Sequence, residues 1–155
     1  MIAIGGGAGG LVTAIFVFLA GGKPALIEKN LLGGDCLNNG CVPSKTLLVS
    51  AKAANIIWNA SKYGIKVDNF EIDFPKVMEW VRAVWASIAK NDSVERMTKI
   101  FGIDVFLGAA KFKDDSTIEV NGKELKFDKA CIATGARPRV PDIEGLNNVP
   151  YFTSE

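Results

Sequence analysis

Cys36 and Cys41 are the residues of this sequence whose type and spacing best fit reactive chemistry, two thiols separated by Leu37-Asn38-Asn39-Gly40 and followed by Val42-Pro43-Ser44-Lys45. In a regular α-helix, residues five apart are offset by about 7.5 Å along the axis and point in different directions. A disulfide needs Cα atoms roughly 4.4–6.8 Å apart, so a bridged pair rules out regular helix between the two. Asn38, Asn39 and Gly40 are residue types that tolerate the bend required. Cys41 then falls at the start of a helix, where the partial positive charge of the free N–H groups favours a thiolate. Lys45, four residues further on, shares the helix face of Cys41 and can stabilise negative charge there. The same spacing also describes a static disulfide or two inert thiols, and Lys45 also reads as a solvated surface lysine; spacing by itself leaves these open.

A second constellation lies upstream. Gly5-Gly6-Gly7-Ala8-Gly9-Gly10 fits G-x-G-x-x-G at Gly5, Gly7 and Gly10. Gly5 permits a sharp strand-to-helix turn, Gly7 lets backbone approach a pyrophosphate, and Gly10 lets the helix pack closely on a sheet. The helix that follows aims its N-terminal N–H groups at the phosphates. Glu28 closes the next strand, where an acidic side chain accepts hydrogen bonds from a ribose. An acid there repels a 2′-phosphate and argues against NADP at this site. The bland alternative is a glycine-rich turn with no ligand.

The elements that must hold these residues form an α/β pattern. Met1–Ile4 is a short buried strand, Leu11–Ala20 a helix apolar on all sides and hence buried, and Pro24–Glu28 a second strand. That β-α-β unit predicts a parallel sheet with a right-handed crossover. Leu31–Gly40 is expected to be a loop. A helix follows from Cys41 to about Tyr63, with Leu47, Leu48, Ala51, Ala54 and Ile57 or Trp58 on its apolar face. Asp73 caps a helix near Pro75 that runs on to about Phe101, with an apolar stripe of Val77, Trp80, Val81, Val84, Trp85 and Ile88 assigned to core packing. Ile103–Leu107 is a strand, and Lys111–Phe127 an antiparallel meander with a type I′ hairpin at Asn121-Gly122. Ala130–Ala133 returns as a buried strand in which Cys131 is structural. From Arg137 to Glu155, prolines at 138, 141 and 150 mark an extended linker.

Composition removes several function classes. Histidine is absent, which removes a His general base, a His metal ligand and a Ser-His-Asp triad. No cysteine set has the spacing of a zinc site. Lys plus Arg number 18 against 17 Asp plus Glu, so no basic surface for nucleic acid or an anionic membrane is indicated. The apolar run at Leu11–Ala20 is about half of the roughly 20 residues that a spanning helix needs, and no basic segment precedes it.

Taken in order, GGGAGG, GGDCLNNGCVPSK and IATGARP resemble the pyridine nucleotide-disulfide oxidoreductase family, which includes dihydrolipoyl dehydrogenase, glutathione reductase and mercuric reductase. The resemblance implies a Rossmann-like FAD/NAD(P)-binding fold, with residues 1–136 an incomplete FAD-binding domain and 137–155 a linker toward an NAD(P)H-binding domain. It implies that Gly5, Gly7, Gly10 and Glu28, with Ala8, Gly9 and Lys29 beside them, hold the ADP half of FAD. Gly34 and Asp35 would lie along the pyrophosphate and ribityl chain, Ala110 would touch the adenine through its backbone, and Thr134, Gly135 and Ala136 would form a second flavin-contacting turn. Cys36 would be the thiol that attacks substrate, Cys41 the one facing the flavin, and Lys45 would sit near the flavin ring. No metal is implied. A cytoplasmic homodimer acting on a small-molecule or metal-ion substrate follows from the same resemblance, with the helix from Pro75 near the dimer interface. Asp35 departs from the threonine of better-known members, and an acid beside Cys36 is expected to raise its thiol pKa. The GDCLN form points toward a mercuric reductase-like protein, with dihydrolipoyl dehydrogenase as the alternative. A nucleotide-binding piece without turnover, inactive alone, is the reading from another class.

Overall fold

The computed structural model describes residues 1–154. Four short strands, β1 (Ile2–Ile4), β2 (Ala25–Glu28), β3 (Asp104–Leu107) and β7 (Ala130–Ile132), form one parallel sheet in the order β3-β2-β1-β7. Three more, β4 (Ala110–Asp114), β5 (Thr117–Val120) and β6 (Lys123–Lys126), form an antiparallel meander. Consecutive residues of β1 feed two separate cores. Ala3 joins Leu11, Ala14, Leu26, Met97 and Ile103 on the helical side. Ile2 and Ile4 join Ile27, Ile118 and Val120 on the meander side. At its centre the parallel sheet is thus covered on both faces, which is why β1 and β2 are continuous apolar runs rather than alternating ones; β7, expected to be buried, lies at the edge and is only half-buried, with Ile132 exposed. The Asn121-Gly122 turn has the two positive φ values, 49° and 77°, that a type I′ hairpin requires. Asn121 Nδ2 also donates to Leu107 O at 2.7 Å, tying the hairpin tip to the end of β3.

The helices depart from expectation in instructive ways. α1 (Ala8–Leu19) starts inside the glycine run, three residues before the predicted start. It is not buried all round. Leu11 and Ala14 face the sheet, while Val12, Phe16 and Leu19 are exposed. A single helix lying on one sheet can bury only one stripe, whatever its composition. The segment expected to be a loop contains the five-residue helix α2 (Gly34–Asn38), and α3 runs over Cys41–Trp58, continued by a 3₁₀ turn at Ala60–Tyr63. α3 does not bury the predicted leucines. Its inner face is Thr46, Ser50 and Ala54, small residues at i, i+4 spacing that let α4 (Phe74–Ala89) approach, and Leu47, Leu48 and Trp58 lie exposed. α4 contributes Val77, Val81, Val84 and Trp85 to that contact side, with Trp80 and Ile88 outside it.

The predicted helix from Pro75 to Phe101 is two helices. A 3₁₀ turn at Lys90–Asp92 ends the first, and Ser93, extended at ψ 149°, caps α5 (Val94–Phe101). Its hydroxyl accepts from Arg96 N at 3.2 Å. Asp73 caps α4 as expected, accepting from Lys76 N at 3.1 Å. Met97 of α5 is fully buried beneath the sheet, so this cap anchors a core element. Ser93→Ala is expected to lower the unfolding free energy by about 1 kcal/mol in a urea titration. The predicted linker is irregular apart from a 3₁₀ turn at Leu146–Asn148; its last residue, Glu155, lies outside the described residues. Among the described residues, no helix is long and apolar enough to cross a membrane.

Candidate functional site

The carboxyl ends of β1, β2 and β7 open onto a groove of about 720 Å³. This is the place where open parallel sheets take their ligands. The glycine turn builds its floor. Gly5 has φ 107°, and a Cβ there would stand 2.2 Å from Ala133 O. A Cβ on Gly10 would stand 1.7 Å from Gly5 O, so α1 lies on the strand with no room for a side chain. Leu11 N is the first helical amide to find an acceptor in its own helix, Gly7 O at 2.9 Å. The amides just before it head the helix at the groove, which Gly7, Ala8 and Gly9 line.

Gly7 differs from its neighbours. Its φ of −82° suits any residue, and a Cβ there would meet only Gly34 Cα at 3.5 Å, an ordinary contact. The protein's own packing therefore does not require glycine at this position, although the residue faces the groove. That observation, with a volume inside the roughly 300–1,000 Å³ usual for small-molecule sites, fits a ligand whose pyrophosphate rests against bare backbone.

Glu28 is buried at the end of β2. One carboxylate oxygen accepts from Gly6 N and the other from Asn30 N, the latter at 2.7 Å. The side chain thus fixes both the glycine turn and the bend after β2. Each oxygen keeps a second lone pair for a ribose hydroxyl. Lys29 lines the groove beside it.

α2 is docked onto the same turn. Gly33 N donates to Gly6 O at 2.8 Å, and a Cβ on Gly34 would stand 2.6 Å from Gly7 Cα. This contact brings Gly34, Asp35 and Cys36 to the groove, opposite Thr134, Gly135 and Ala136 from the end of β7. Cys41 is the first residue of α3, and the bend between the cysteines falls at Asn39 and Gly40. Both thiols are free and exposed. The neighbouring Cys41 thiol holds the Cys36 thiol above the ordinary cysteine range, and the slight desolvation of Cys36 and the Cys41 charge push the same way. The Cys41 backbone N–H and the Lys45 ammonium act in the opposite direction. Asp35, expected to raise this pKa, is not the cause. Its Oδ2 lies 3.0 Å from where a Cβ on Gly40 would stand.

Most of the site residues expected from the sequence therefore meet in one groove. Gly10 lies beneath it as packing, and Cys41 and Lys45 stand behind Cys36 on α3. Ala110 does not line it; it begins β4 and packs against the meander-side core. Sequence reasoning missed Asn30, Leu31 and Arg137, which line the groove immediately after β2 and after the turn beyond β7. Their position just past the carboxyl end of a predicted parallel strand was the available signal. Cys131 is half-buried in β7 with its sulfur 3.8 Å from Thr13 Oγ1, apart from the thiol pair. Among the described residues, no cluster of acidic or cysteine side chains could hold a metal ion.

The profile of the family described as "Pyridine nucleotide-disulphide oxidoreductase" matches residues 1–155. A mercuric reductase of Staphylococcus aureus is 34% identical over 154 residues, which is 99% of this chain and 28% of that protein. A dihydrolipoyl dehydrogenase of Acholeplasma laidlawii is 37% identical over 147 residues, 94% of this chain and 43% of that one. Among solved structures, the HOCl-induced flavoprotein disulfide reductase RclA from Escherichia coli superposes with a TM-score of 0.74 at 29% identity, covering 96% of this chain and 31% of that chain. The chain thus spans less than half the length of each of these relatives.

Proposed function

The chain belongs to the pyridine nucleotide-disulphide oxidoreductase family, and on that premise we propose that it binds FAD in the groove and carries the redox-active dithiol of a flavin-dependent oxidoreductase. One observation carries this reading. The groove that begins at the glycine turn and Glu28 ends at Cys36, one of the exposed pair Cys36 and Cys41. A nucleotide site and a thiol pair with no common task have no reason to share one cleft.

Under this proposal Gly5, Gly7, Ala8, Gly9, Glu28 and Lys29 hold the ADP half, and Gly34 and Asp35 flank the pyrophosphate and ribityl chain. Thr134, Gly135 and Ala136 close the other wall. When bound, the flavin supplies the chemistry by which reducing equivalents from NAD(P)H, held in the remainder of a longer protein, reach the thiol pair. The residues of this chain do the rest. Cys41, at the head of an 18-residue helix, is placed to carry negative charge. By likeness to the family, Cys36 is the thiol that meets substrate and Cys41 the one that faces the flavin; Cys36 also borders the groove. Lys45 offsets negative charge on the pair. Oxidation of the two thiols to a disulfide releases two electrons and two protons. The proposed acceptor is Hg(II), a soft ion suited to thiolates, as the names of the mercuric reductase relatives favour. A dithiol-disulfide substrate is the second reading, favoured by the dihydrolipoyl dehydrogenase relatives. A cytoplasmic homodimer belongs to the same proposal.

The test is the visible spectrum of the purified chain, mixed with FAD and then desalted. Flavin absorbance that stays with the protein and bleaches with dithionite is the expected result. If the flavin separates on the column from this chain and also from the protein extended beyond residue 155, the proposal fails.

A further inference from the structure

We propose that Trp85 is a positioning residue for the thiol pair: its indole N–H sets the Asn38 amide, and through it the short helix that carries Cys36. The inference rests on the redox reading above and adds a residue that neither the thiol motif nor the groove contains. Of the three tryptophans, Trp58 and Trp80 are 75% and 53% exposed, whereas Trp85 is half-buried and hydrogen-bonded.

Its Nε1 donates to Asn38 Oδ1 at 3.2 Å, across 47 residues of sequence. Asn38 Nδ2 in turn donates to Leu32 O at 3.1 Å and to Gly34 O at 2.8 Å. The amide has one orientation that works. Turned over, its oxygen would face two carbonyl oxygens and its NH₂ would face the indole N–H. The indole therefore selects the orientation that clasps the Leu32–Gly34 segment to α2.

α2 needs that clasp. Five residues are too few for a self-supporting helix, and no side chain caps its N-terminus. Cys36 lies two residues before Asn38 on the same helix, and how closely it approaches Cys41 depends on where that helix sits. Cys41 begins α3, whose small-residue face packs on α4, the helix that carries Trp85. One helix thus supports both thiols, Cys41 through side-chain packing and Cys36 through the indole. If the clasp loosens, Cys36 is no longer held against Cys41, the neighbour that chiefly raises its pKa, and the pKa then falls.

The experiment measures iodoacetamide alkylation of each cysteine of the reduced chain against pH, resolved by mass spectrometry, with thermal melting alongside. Trp85→Phe removes the donor and keeps a ring. Benzothienylalanine at position 85 keeps the bicyclic shape and removes only the N–H, which covers the case in which phenylalanine leaves a cavity that unfolds the chain. Either change is expected to move the Cys36 profile to lower pH, making Cys36 roughly threefold faster to react below its midpoint. Asn38→Ala is expected to give the same shift, and the double variant no further one. Trp80→Phe is expected to change nothing. An unchanged Cys36 profile in both position-85 variants overturns the proposal, as does equal acceleration of Cys131, which would mean general loosening. The readout needs no cofactor, so a chain that fails to retain FAD but shows the shift separates the failure of the functional reading from the failure of this one.

Discussion

Gly10→Ala is expected to cost this chain its fold, whereas Gly7→Ala, three residues away in the same turn, is expected to cost it only its ligand. A Cβ added at Gly10 would stand 1.7 Å from Gly5 O and 3.0 Å from Gly5 C. Both atoms are backbone, and Gly5 is itself pinned by its N–H bond to Ile27 O at 2.8 Å. No rotamer change relieves the overlap, so α1 must lift off β1 and β2 and open the cluster of Leu11, Ala14 and Leu26. Ordinary overpacking costs about 1–3 kcal/mol, and here the obstacle is main chain, so the upper end or beyond is expected. Against a total stability of about 5–15 kcal/mol, the thermal midpoint should fall by roughly 10 °C or the cooperative transition should vanish. Gly7→Ala meets nothing closer than 3.5 Å and needs no unusual φ. Its unfolding free energy should stay within about 0.5 kcal/mol of the parent. FAD retention, measured by titration of flavin fluorescence, should weaken at least about tenfold as the methyl displaces the pyrophosphate from the backbone amides. A Gly10→Ala chain that melts like the parent would contradict the helix-on-strand contact. A Gly7→Ala chain that binds FAD like the parent would remove the groove as its site.

What could be read from the sequence was what local physics dictates. β1, β2 and β7 follow from apolar runs bounded by glycine or charge, and the Asn121-Gly122 turn from residues that accept positive φ. The glycine turn was legible for the same reason, since Gly10 is forced by a contact within one β-α-β unit and Gly5 by a positive φ in the turn, although the backbone a Cβ on Gly5 would strike, at Ala133, is distant in sequence. What stayed hidden depended on partners distant in sequence. α2 looked like a loop because its clasp comes from Trp85, 47 residues on. The inner face of α3 was misassigned except at Ala54, because helix packing chose Thr46 and Ser50 over the leucines. Burial of α1 was overestimated because composition cannot say how many neighbours a helix has. The break before α5 was legible in principle, since Asn91-Asp92-Ser93 is a run of cap-forming residues inside an apparent apolar stripe. Most of the site survived these errors because the parallel sheet fixes where the loops converge, and the loops then carry their residues with them.

Replacing the two thiols one at a time is expected to give unequal enzymes in the whole protein, because the structure makes the pair unequal. Cys36 lines the groove, and its pKa is raised chiefly by the neighbouring Cys41. Cys41 heads α3, where the helix terminus favours charge on its sulfur. Cys36→Ser removes the thiol proposed to reach substrate, so turnover with Hg(II) or a dithiol should fall by about 10³-fold or more. Its Cys41 sulfur should still give the long-wavelength absorbance of a thiolate beside an oxidised flavin. Cys41→Ser should also lose turnover, since no disulfide can form, and should lose that absorbance as well. The pH behaviour separates the two roles a second way. Cys41 is the neighbour that raises the Cys36 pKa, so Cys41→Ala should let Cys36 ionise at lower pH and alkylate faster near neutrality. The sign follows from the cause: that neighbour stabilises the protonated form, and its removal favours the thiolate. Identical spectra from the two serine variants, or a Cys36 alkylation profile unmoved by Cys41→Ala, would show the thiols to be interchangeable and the assignment of one to substrate and one to flavin to be wrong.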